Sequence, residues 1–242
     1  MGKLLQLKEI HKSFGDQHIH RGISIDLHKN ECLGLLGPSG TGKSVLLKSI
    51  IGLSTIDSGE IIYKNQNLEN LSEHEYGAYR KLISYCFQNG ALFDSETVFE
   101  NIAFPLRQHL QLDESEIQKK VNEVLKLVNL ENTHSLMPSD LSGGMIKRVG
   151  MARSMMLDPE IVLFDEPTAG LDPENTLKII DAIDTFKKEA NLTSIFVTHD
   201  IPAAIKLCDR IVVIEEGKVI FNGNPSEVKS VPFIKSFYEY AD

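Results

Sequence analysis

The sequence of 242 residues contains no tryptophan and only three cysteines, Cys32, Cys86 and Cys208. The cysteines are far apart and show no Cys-x-x-Cys or Cys/His spacing, which argues against a disulfide framework or a zinc site and favours a reducing compartment. No apolar run approaches the ~18 residues of a membrane span, and the first residues lack the apolar stretch of a signal peptide. We therefore expect a cytoplasmic chain that reaches a membrane only through a partner.

Positive charge is also scarce, because 25 Lys and Arg residues face 34 Asp and Glu residues and leave a net charge of −9. This sign disfavours binding of nucleic acid or anionic lipid through the general field of the protein. Any phosphate must therefore be bound locally. With 42% hydrophobic and 24% charged residues, the composition is that of a soluble globular protein, either one large domain or a core with a small subdomain.

Apolar segments with strand character occur along the whole chain. Alternating patterns predict two strands near the start, at residues 4–10 and 22–27, joined by a turn at Gly15 and Asp16. Continuous apolar runs predict buried strands of a parallel sheet at residues 31–36, 82–87, 161–164, 193–198 and 210–214. Residues 43–51 have a helical pattern directly after the first of these runs. The order of strand, loop and helix predicts an α/β fold with an N-terminal β layer.

The middle of the chain has a different, mostly helical character. Apolar residues at helical spacing predict a helix over 113–128, with Asp113 and Glu116 as its capping pair, and a second helix over 142–156. We therefore predict a helical subdomain at about 90–157, inserted into an α/β core made of about 1–89 and 158–242. Residues 232–240 have the pattern of a short amphipathic helix at most, and the C-terminal segment 225–242 either binds a partner or covers the core.

Residues 37–44, Gly-Pro-Ser-Gly-Thr-Gly-Lys-Ser, match the phosphate-binding pattern GxxxxGK[ST] and lie between an apolar strand and a helix. The glycines allow backbone N–H groups to turn toward phosphate oxygens, and the helix adds its positive N-terminal end. Lys43 is expected to bridge the β- and γ-phosphates and Ser44 to bind Mg²⁺. The alternative is a glycine-rich turn with a surface lysine. The predicted nucleotide-binding residues here are Gly37, Pro38, Ser39, Gly40, Thr41, Gly42, Lys43, Ser44 and Val45.

The apolar run 161–164 leads directly into two acids, Asp165 and Glu166. Two carboxylates at the end of a buried strand are costly unless they face an ion or water. As a Walker B motif, Asp165 would hold Mg²⁺ and Glu166 would act as general base on the attacking water. The alternative is a strand that ends in solvated acids. These two motifs define only a nucleotidase, and small-molecule kinases and GTPases share them.

A further glycine-containing segment, Leu-Ser-Gly-Gly-Met at 141–145, precedes a helix with several basic residues. Ser142 is a suitable N-cap, and Gly143 and Gly144 leave backbone N–H groups uncovered. A second anion-binding site is therefore predicted, although a lone Ser-Gly-Gly is commonly just a flexible turn.

With these motifs in order, the chain resembles the nucleotide-binding subunit of ATP-binding cassette (ABC) transporters over its whole length. That family has a P-loop NTPase core of the RecA-like type, an N-terminal antiparallel β subdomain and an inserted α-helical subdomain. Phe14 stands at the position of the A-loop aromatic that stacks on adenine, and Gln88 at that of the Q-loop glutamine. Residues 169–172 match the D-loop, which ends in Asp172, and His199 matches the switch histidine. Taken singly, these residues also suit a core Phe, a polar Gln at a strand end, a helix-capping Asp before Pro173 and a His with satisfied hydrogen bonds.

The resemblance implies a head-to-tail homodimer with ATP and Mg²⁺ between the protomers. The P-loop of one protomer would face Ser142, Gly143 and Gly144 of the other, and Asp172 would couple the two sites. The implied catalytic residues are Lys43, Gln88, Glu166 and His199. The implied metal ligands are Ser44, Gln88 and Asp165.

The resemblance extends to the ATPases of Mla-type phospholipid transporters, which serve proteins with Mce domains. The segments at 88–93 and 137–145 carry it, and Met145 replaces the glutamine of the commonest signature. It implies a separate membrane permease, an Mce-domain protein, a small regulatory subunit and a place on the cytoplasmic face of the inner membrane. Phe93, Phe99 and Phe104 would line the groove for the permease, and the alternative is that these aromatic residues belong to the core. An ATPase for amino-acid import and a soluble ATPase of iron–sulfur assembly remain as alternatives.

Overall fold

The structure, a computed structural model, describes residues 2–232, 234 and 235. The chain divides into two compact units, one formed by Met1–Arg80 with Thr193–Asp242 and the other by Lys81–Leu192. The strands and helices follow in this order: β1 (Lys3–Phe14), β2 (Gln17–His28), β3 (Cys32–Leu36), α1 (Lys43–Ile50), β4 (Ser58–Tyr63), β5 (Gln66–Asn67), α2 (Glu73–Leu82), β6 (Ile83–Cys86), α3 (Val98–His109), α4 (Glu114–Leu127), α5 (Gly143–Ser154), β7 (Ile161–Asp165), α6 (Pro173–Ala190), β8 (Thr193–Val197), α7 (Ile201–Leu207), β9 (Arg210–Glu215) and β10 (Lys218–Gly223).

The first unit contains the predicted antiparallel β layer, whose strand order is β2-β1-β4-β5. Its two long strands, β1 and β2, have 12 residues each, so they extend well beyond the predicted segments 4–10 and 22–27. The extra length comes from the polar ends of the hairpin, where apolar alternation gives no signal and register shifts interrupt the pairing. The hairpin turns at Gly15 and Asp16, as predicted.

The same unit contains a second group of strands in the order β10-β9-β3-β8. Strand β3 pairs in parallel with both β8 and β9, and all five of its residues are buried. Full burial explains the uninterrupted apolar run that predicted it. Because β3 and β8 are parallel, the loops that follow them, at 37–42 and 198–200, leave the sheet at the same edge. This edge holds the first group of candidate site residues.

The second unit is mostly helical and contains one parallel pair of strands, β6 and β7. The predicted helix at 113–128 is α4, and the predicted capping pair is confirmed, because Asp113 and Glu116 form a complete capping box. Ser142 caps α5 and accepts a hydrogen bond from the N–H of Met145. The strand β7 delivers Asp165 to the edge where β6 also ends.

None of the helices formed by the described residues combines the length and the apolar character that crossing a bilayer requires. Of the predicted helix at 232–240, Pro232, Ile234 and Lys235 are helical. The rest of that segment lies outside the described residues.

Candidate functional site

The predicted phosphate loop connects β3 to α1 in the first unit. Gly40 and Gly42 adopt left-handed φ angles of 82° and 84°, which residues with a side chain rarely adopt. An added Cβ at Gly40 would meet no heavy atom within 4 Å. The loop is therefore open at Gly40, on the side where a ligand can approach the backbone.

At Gly37 and Gly42 there is also no space for a Cβ, which the sequence did not show. A Cβ on Gly37 would lie 2.1 Å from the carbonyl oxygen of Ile214, and one on Gly42 would lie 2.2 Å from the side chain of Ile19. His20 holds the same turn, because its Nε2 lies 3.1 Å from the carbonyl oxygen of Gly42. Close packing against strands thus fixes the shape of the loop.

Lys43 places its ammonium inside this loop. Its Nζ donates hydrogen bonds to the carbonyl oxygens of Gly37 and Pro38, each at 2.9 Å, and the residue is only 5% exposed. A cation held within a turn at a helix N-terminus is suited to phosphate oxygens. Ser44 and Val45 follow in the first turn of α1 and are half-buried. The residues present therefore fit a nucleotide phosphate chain.

His199 shares a cavity with the phosphate loop. The cavity has a volume of about 270 Å³ and is lined by Gly37, Pro38, Ser39 and His199 together with apolar residues. The backbone next to His199 is held by Asp200, whose N–H donates to Thr198 Oγ1 and whose carboxylate caps α7. His199 is exposed at the mouth of this cavity.

Phe14 lies at the end of β1 and is 54% exposed. The alternative of a core phenylalanine is therefore wrong. A large, exposed aromatic ring offers a face for stacking on a planar ligand.

The two acids of the Walker B motif lie at the end of β7 in the second unit. Asp165 is buried, and its Oδ2 accepts a hydrogen bond of 2.6 Å from the hydroxyl of Tyr85. Burial, and next this hydrogen bond, raise the pKa of Tyr85. Tyr85 therefore stays protonated, and its hydroxyl orients the Asp165 carboxylate by donating a hydrogen bond to it. Sequence reasoning missed Tyr85, whose only signal is its place near the end of the neighbouring strand.

Glu166 adopts a left-handed φ of 51°. This conformation is unfavourable for a residue with a Cβ and is typically retained where function requires it. It turns the chain sharply after Asp165, so that the two adjacent carboxylates take different positions. Among the residues that the structure describes, no three His, Cys, Asp or Glu side chains group to hold a metal ion.

Gln88 is exposed just after β6. The turn that follows it packs directly on α5, because Gly90 and Gly150 lie so close that a Cβ on Gly150 would be 2.7 Å from the Cα of Gly90. Arg153 strengthens this contact by donating hydrogen bonds to the carbonyl oxygens of Gly90 and Ala91. The Q-loop segment is therefore attached to the helix that begins at the signature motif.

The signature motif presents Ser142 and Gly143 to solvent at the start of α5, whereas Gly144 is buried. The prediction that both glycines leave backbone N–H groups uncovered therefore holds for Gly143 only. At Gly144 a glycine fits because the side chain of Asn175 packs against it. Asp172 is exposed and caps α6 by accepting a hydrogen bond from the N–H of Asn175. Sequence reasoning missed Asn175, which has no motif signal of its own.

The aromatic residues after the Q-loop separate into two places. Phe93 and Phe104 are each 42% exposed, pack edge to face at 4.9 Å, and line cavities of about 230 and 300 Å³. Phe99 instead packs against Arg107 and His134. Phe99 does not line either of these two cavities, although Arg107, against which it packs, lines the first of them.

Each unit thus carries its own group of predicted site residues. The first unit holds Phe14, the loop 37–45 and His199, and the structure brings His199 to the loop. The second unit holds Gln88, the signature residues 142–144, Asp165, Glu166 and Asp172.

Comparison with known proteins gives a consistent result. A family model described as ABC transporter matches residues 20–169. The chain is 37% identical to the intermembrane phospholipid transport system ATP-binding protein MlaF of Haemophilus influenzae, over 93% of this chain and 85% of that protein. It is 37% identical to the spermidine/putrescine import ATP-binding protein PotA of Thermotoga maritima, over 96% of this chain, and spans 61% of that protein's length. It is 39% identical to the probable ribonucleotide transport ATP-binding protein mkl of Mycobacterium leprae, over 98% of this chain and 69% of that protein.

Solved structures match equally well. The cbiO1 protein of Clostridium perfringens, part of an ABC transporter complex, superposes with a TM-score of 0.86 at 31% identity and covers 99% of this chain and 100% of its own. The ATP-binding cassette MJ0796, solved as a dimer in a post-hydrolysis state with ADP and Pi, superposes with a TM-score of 0.83 at 30% identity, over 91% of this chain and 98% of its own. These matches confirm the predicted fold class, a P-loop NTPase α/β core with an antiparallel β subdomain and added helices.

Proposed function

The chain belongs to the ABC transporter family as an ATPase that works with ATP and Mg²⁺, and we propose that it powers phospholipid transport between membranes through a separate permease. The observation that carries the lipid assignment is the similarity to MlaF along nearly the whole chain. The similar identity to a polyamine importer favours a second candidate, import of a small polar solute such as an amino acid. A soluble iron–sulfur assembly ATPase is the remaining alternative.

We propose that the first unit holds one side of the nucleotide. Phe14 stacks on the adenine, and the loop formed by Gly37 to Gly42 and Val45 encloses the phosphates with its backbone N–H groups. Lys43 turns its ammonium from the loop carbonyls to the β- and γ-phosphates. His199, which lines the cavity beside the loop, donates a hydrogen bond to the γ-phosphate side and stabilises the charge that develops there.

The second unit supplies the groups for hydrolysis in this proposal. Asp165, oriented by the Tyr85 hydroxyl, and Gln88 are the proposed Mg²⁺ ligands of this unit, as Ser44 is of the first unit, and Mg²⁺ would neutralise charge on the phosphates. Glu166 accepts a proton from the attacking water as general base. Gln88 also contacts that water. Because the turn after Gln88 packs on α5 through Gly90 and Gly150, a movement of Gln88 would be transmitted to the neighbouring helices.

We propose a head-to-tail homodimer in which each nucleotide lies between two protomers. The exposed backbone at Ser142 and Gly143, with Gly144 behind it, donates hydrogen bonds to the phosphates held by the partner's loop. Asp172 couples the two sites. After hydrolysis, the separated product charges repel each other across the interface between the protomers, and the protomers separate. This movement drives the permease. The dimeric form of the cassette MJ0796 supports this arrangement.

We further propose that residues 90–157 act as the helical subdomain and that Phe93 and Phe104 form the groove for the permease. Exposed aromatic residues beside a cavity are common centres of protein interfaces. The protein would then lie on the cytoplasmic face of the inner membrane through its permease. A small regulatory subunit and an Mce-domain protein complete the proposed assembly.

Affinity purification of the tagged chain from membranes tests this function. We expect a multi-span permease and bound phospholipid in the purified complex, identified by mass spectrometry. Replacing both groove residues, by Phe93→Ala with Phe104→Ala, should weaken capture of the permease about tenfold, as loss of aromatic anchors typically does. The control is Leu177→Ala, which removes an exposed apolar side chain from α6.

Two results would contradict the lipid assignment. A permease recovered without phospholipid, with ATPase activity stimulated by an amino acid or polyamine, would favour the importer. Recovery with iron–sulfur assembly proteins and no membrane protein would favour the soluble alternative.

A further inference from the structure

The exposed ring of Phe14 rests on a buried cation. The ammonium of Lys12 lies 5.1 Å from the centroid of the Phe14 ring, within the range of a cation–π contact. The two residues are two positions apart at the end of β1, where a register shift between Lys12 and Ser13 interrupts the regular pairing with β2. Phe14 is largely exposed, whereas Lys12 is only 7% exposed. The cation therefore supports the ring from the protein side.

Lys12 is held in this position by two acceptors. Its Nζ donates to Asp57 Oδ1 at 3.3 Å and to Thr55 Oγ1 at 3.4 Å. Asp57 is fixed in turn, because its Oδ2 accepts a hydrogen bond of 2.6 Å from the N–H of Ser13 and its own N–H donates to the carbonyl oxygen of His11. A lysine side chain has many rotamers, and this network selects the one that lies under the ring.

The backbone that carries Phe14 is also fixed on its other side. Ser13 Oγ lies 2.9 Å from Nδ1 of His18, and Phe14 pairs with Gln17 across the hairpin. Thr55 and Asp57 belong to the segment that follows α1, the helix whose first turn contains Lys43 and Ser44. The same segment therefore links the ring to the helix of the phosphate loop.

These contacts restrict the Phe14 ring more than that of an exposed phenylalanine without neighbours. An unsupported ring has two equivalent faces and free rotation, so it loses entropy when it stacks on a base. A cation fixed on one face restricts the ring and leaves the other face for the ligand. It also draws electron density from the ring, which favours stacking of an electron-rich purine on the opposite face.

We propose that Lys12, locked by Asp57, is a positioning residue that holds the Phe14 ring for stacking on the adenine of ATP. The inference rests on the proposed function in one respect, that Phe14 is the adenine platform. Lys12 acts on affinity and on the choice of base through Phe14, and it makes no contact with the reacting phosphates. A pyrimidine nucleotide, which has a smaller face for stacking, should depend on Lys12 less.

The absence of tryptophan allows a direct optical test. In a Phe14→Trp protein the only indole stands at the platform, and titration with Mg–ADP should change its fluorescence. Adding Lys12→Met should weaken Mg–ADP binding by about threefold to tenfold, the range of a partly desolvated cation–π contact. Lys12→Arg keeps a cation over the ring and should restore affinity to within about twofold. Asp57→Asn, which keeps the lysine but loosens it, should give an intermediate loss.

Lys64→Met is the matched control. It removes a cation–π contact of similar geometry, in which Lys64 Nζ lies 5.3 Å from the centroid of the Tyr63 ring. This pair belongs to the same unit as Phe14 but is distant from it in the sequence. This variant should bind Mg–ADP as the parent does. In the native Phe14 background, Lys12→Met should raise the KM for ATP severalfold with little change in kcat, and should raise the KM for CTP by a smaller factor.

The outcomes separate the inference from the function on which it rests. If calorimetry with the wild-type chain detects no Mg–ADP binding, the proposed nucleotide site fails. If the wild type binds and folded Lys12→Met binds with the same affinity, the role of Lys12 is overturned while the site stands. The role is also overturned if Lys12→Met lowers ATP and CTP binding equally, or if Lys12→Arg is as weak as Lys12→Met.

Discussion

The side-chain amide of Asn175 lies in the space that a Cβ on Gly144 would need, because that Cβ would be 2.7 Å from both its Cγ and Oδ1. Asn175 also donates to the Asp172 carboxylate from its backbone N–H at 2.9 Å and from its side chain at 2.6 Å. Nearby, the ammonium of Lys147 on α5 donates to the carbonyl oxygen of Ala169. The signature turn and the D-loop segment are therefore in direct contact with each other within one unit.

Gly144→Ala tests this contact. The new methyl group must displace Asn175, so we expect a loss of about 1–3 kcal/mol in the free energy of unfolding, typical of overpacking. We also expect a lower ATPase rate, because the exposed backbone at Ser142 and Gly143 moves with the turn. Gly143→Ala is the control for stability, since its Cβ would meet no heavy atom within 4 Å. Urea unfolding of both variants measures the difference, and equal stabilities would show that Asn175 does not restrict position 144.

Glu166→Gln should leave nucleotide binding intact and slow turnover by about 10²–10⁴, the usual effect of losing a general base. The amide keeps the shape of the side chain but cannot accept the proton, so a closed, nucleotide-bound dimer should accumulate. Size-exclusion chromatography with ATP and a steady-state ATPase assay measure both effects. Glu216→Gln is a close control, because Glu216 is also a glutamate with a left-handed φ, 47°. Wild-type turnover in Glu166→Gln would remove Glu166 from the proposed role.

Mixing two inactive variants tests whether the site is shared between protomers. Lys43→Ala should lose nucleotide binding or turnover, and Ser142→Arg should place a bulky cation on the exposed signature turn and abolish hydrolysis while the protomer still folds. A mixed dimer contains one intact pair, the loop of the Ser142→Arg protomer with the signature motif of the other. ATPase activity should therefore return on mixing, with at most one working site per dimer. Two working sites, or none at any ratio, would contradict the shared geometry.

His20 should make stability depend on pH. Burial lowers its pKa below the ordinary value of 6.5, although its hydrogen bond to Gly42 opposes this and Lys12 adds to it. Within the described part of the chain its Nδ1 is buried without a hydrogen-bond partner, which suits the neutral ring. The unfolded chain therefore binds the proton more readily, so stability is full above the unfolded pKa of 6.5 and falls as the pH drops below it.

The test compares wild type with His20→Gln, whose amide can still donate to Gly42. Chemical unfolding at about pH 7.5 and about pH 5.5 brackets the titration of an ordinary histidine. Wild type should lose more free energy of unfolding over this interval than His20→Gln. The exposed His74→Gln is the control and should follow wild type. A steeper loss in His20→Gln than in wild type would contradict the assignment.

The elements that sequence reasoning located well are those whose signal is local. The buried strands β3, β7 and β8 are short apolar runs, and full burial leaves no other pattern for them. The start of α4 followed from one capping pair, because Asp113 and Glu116 satisfy the first N–H groups of the helix by themselves. The hairpin ends were missed, because polar strands are held by pairing across the sheet and not by an apolar face.

The candidate site shows the same division. Motif positions such as Lys43, Asp165 and Glu166 were recognisable because phosphate and metal chemistry demands particular residue types at a fixed spacing. Tyr85, Asn175 and Lys12 were not recognisable, since each acts on a residue of the site from a different segment. The exposure of single residues was also not recognisable, because the 54% exposure of Phe14, which excludes the core alternative, depends on what packs around it.

The order of residues along the chain was thus enough to determine the class of chemistry, a nucleotide bound at a glycine-rich loop with acids to assist hydrolysis, because those groups are adjacent in sequence. Only the tertiary structure showed that neighbouring groups leave no free space for a Cβ at Gly37, Gly42 and Gly144. It also showed which side chains orient the functional groups. The physical reason is that steric exclusion and hydrogen bonding act between atoms close in space, and folding brings those atoms together from distant segments.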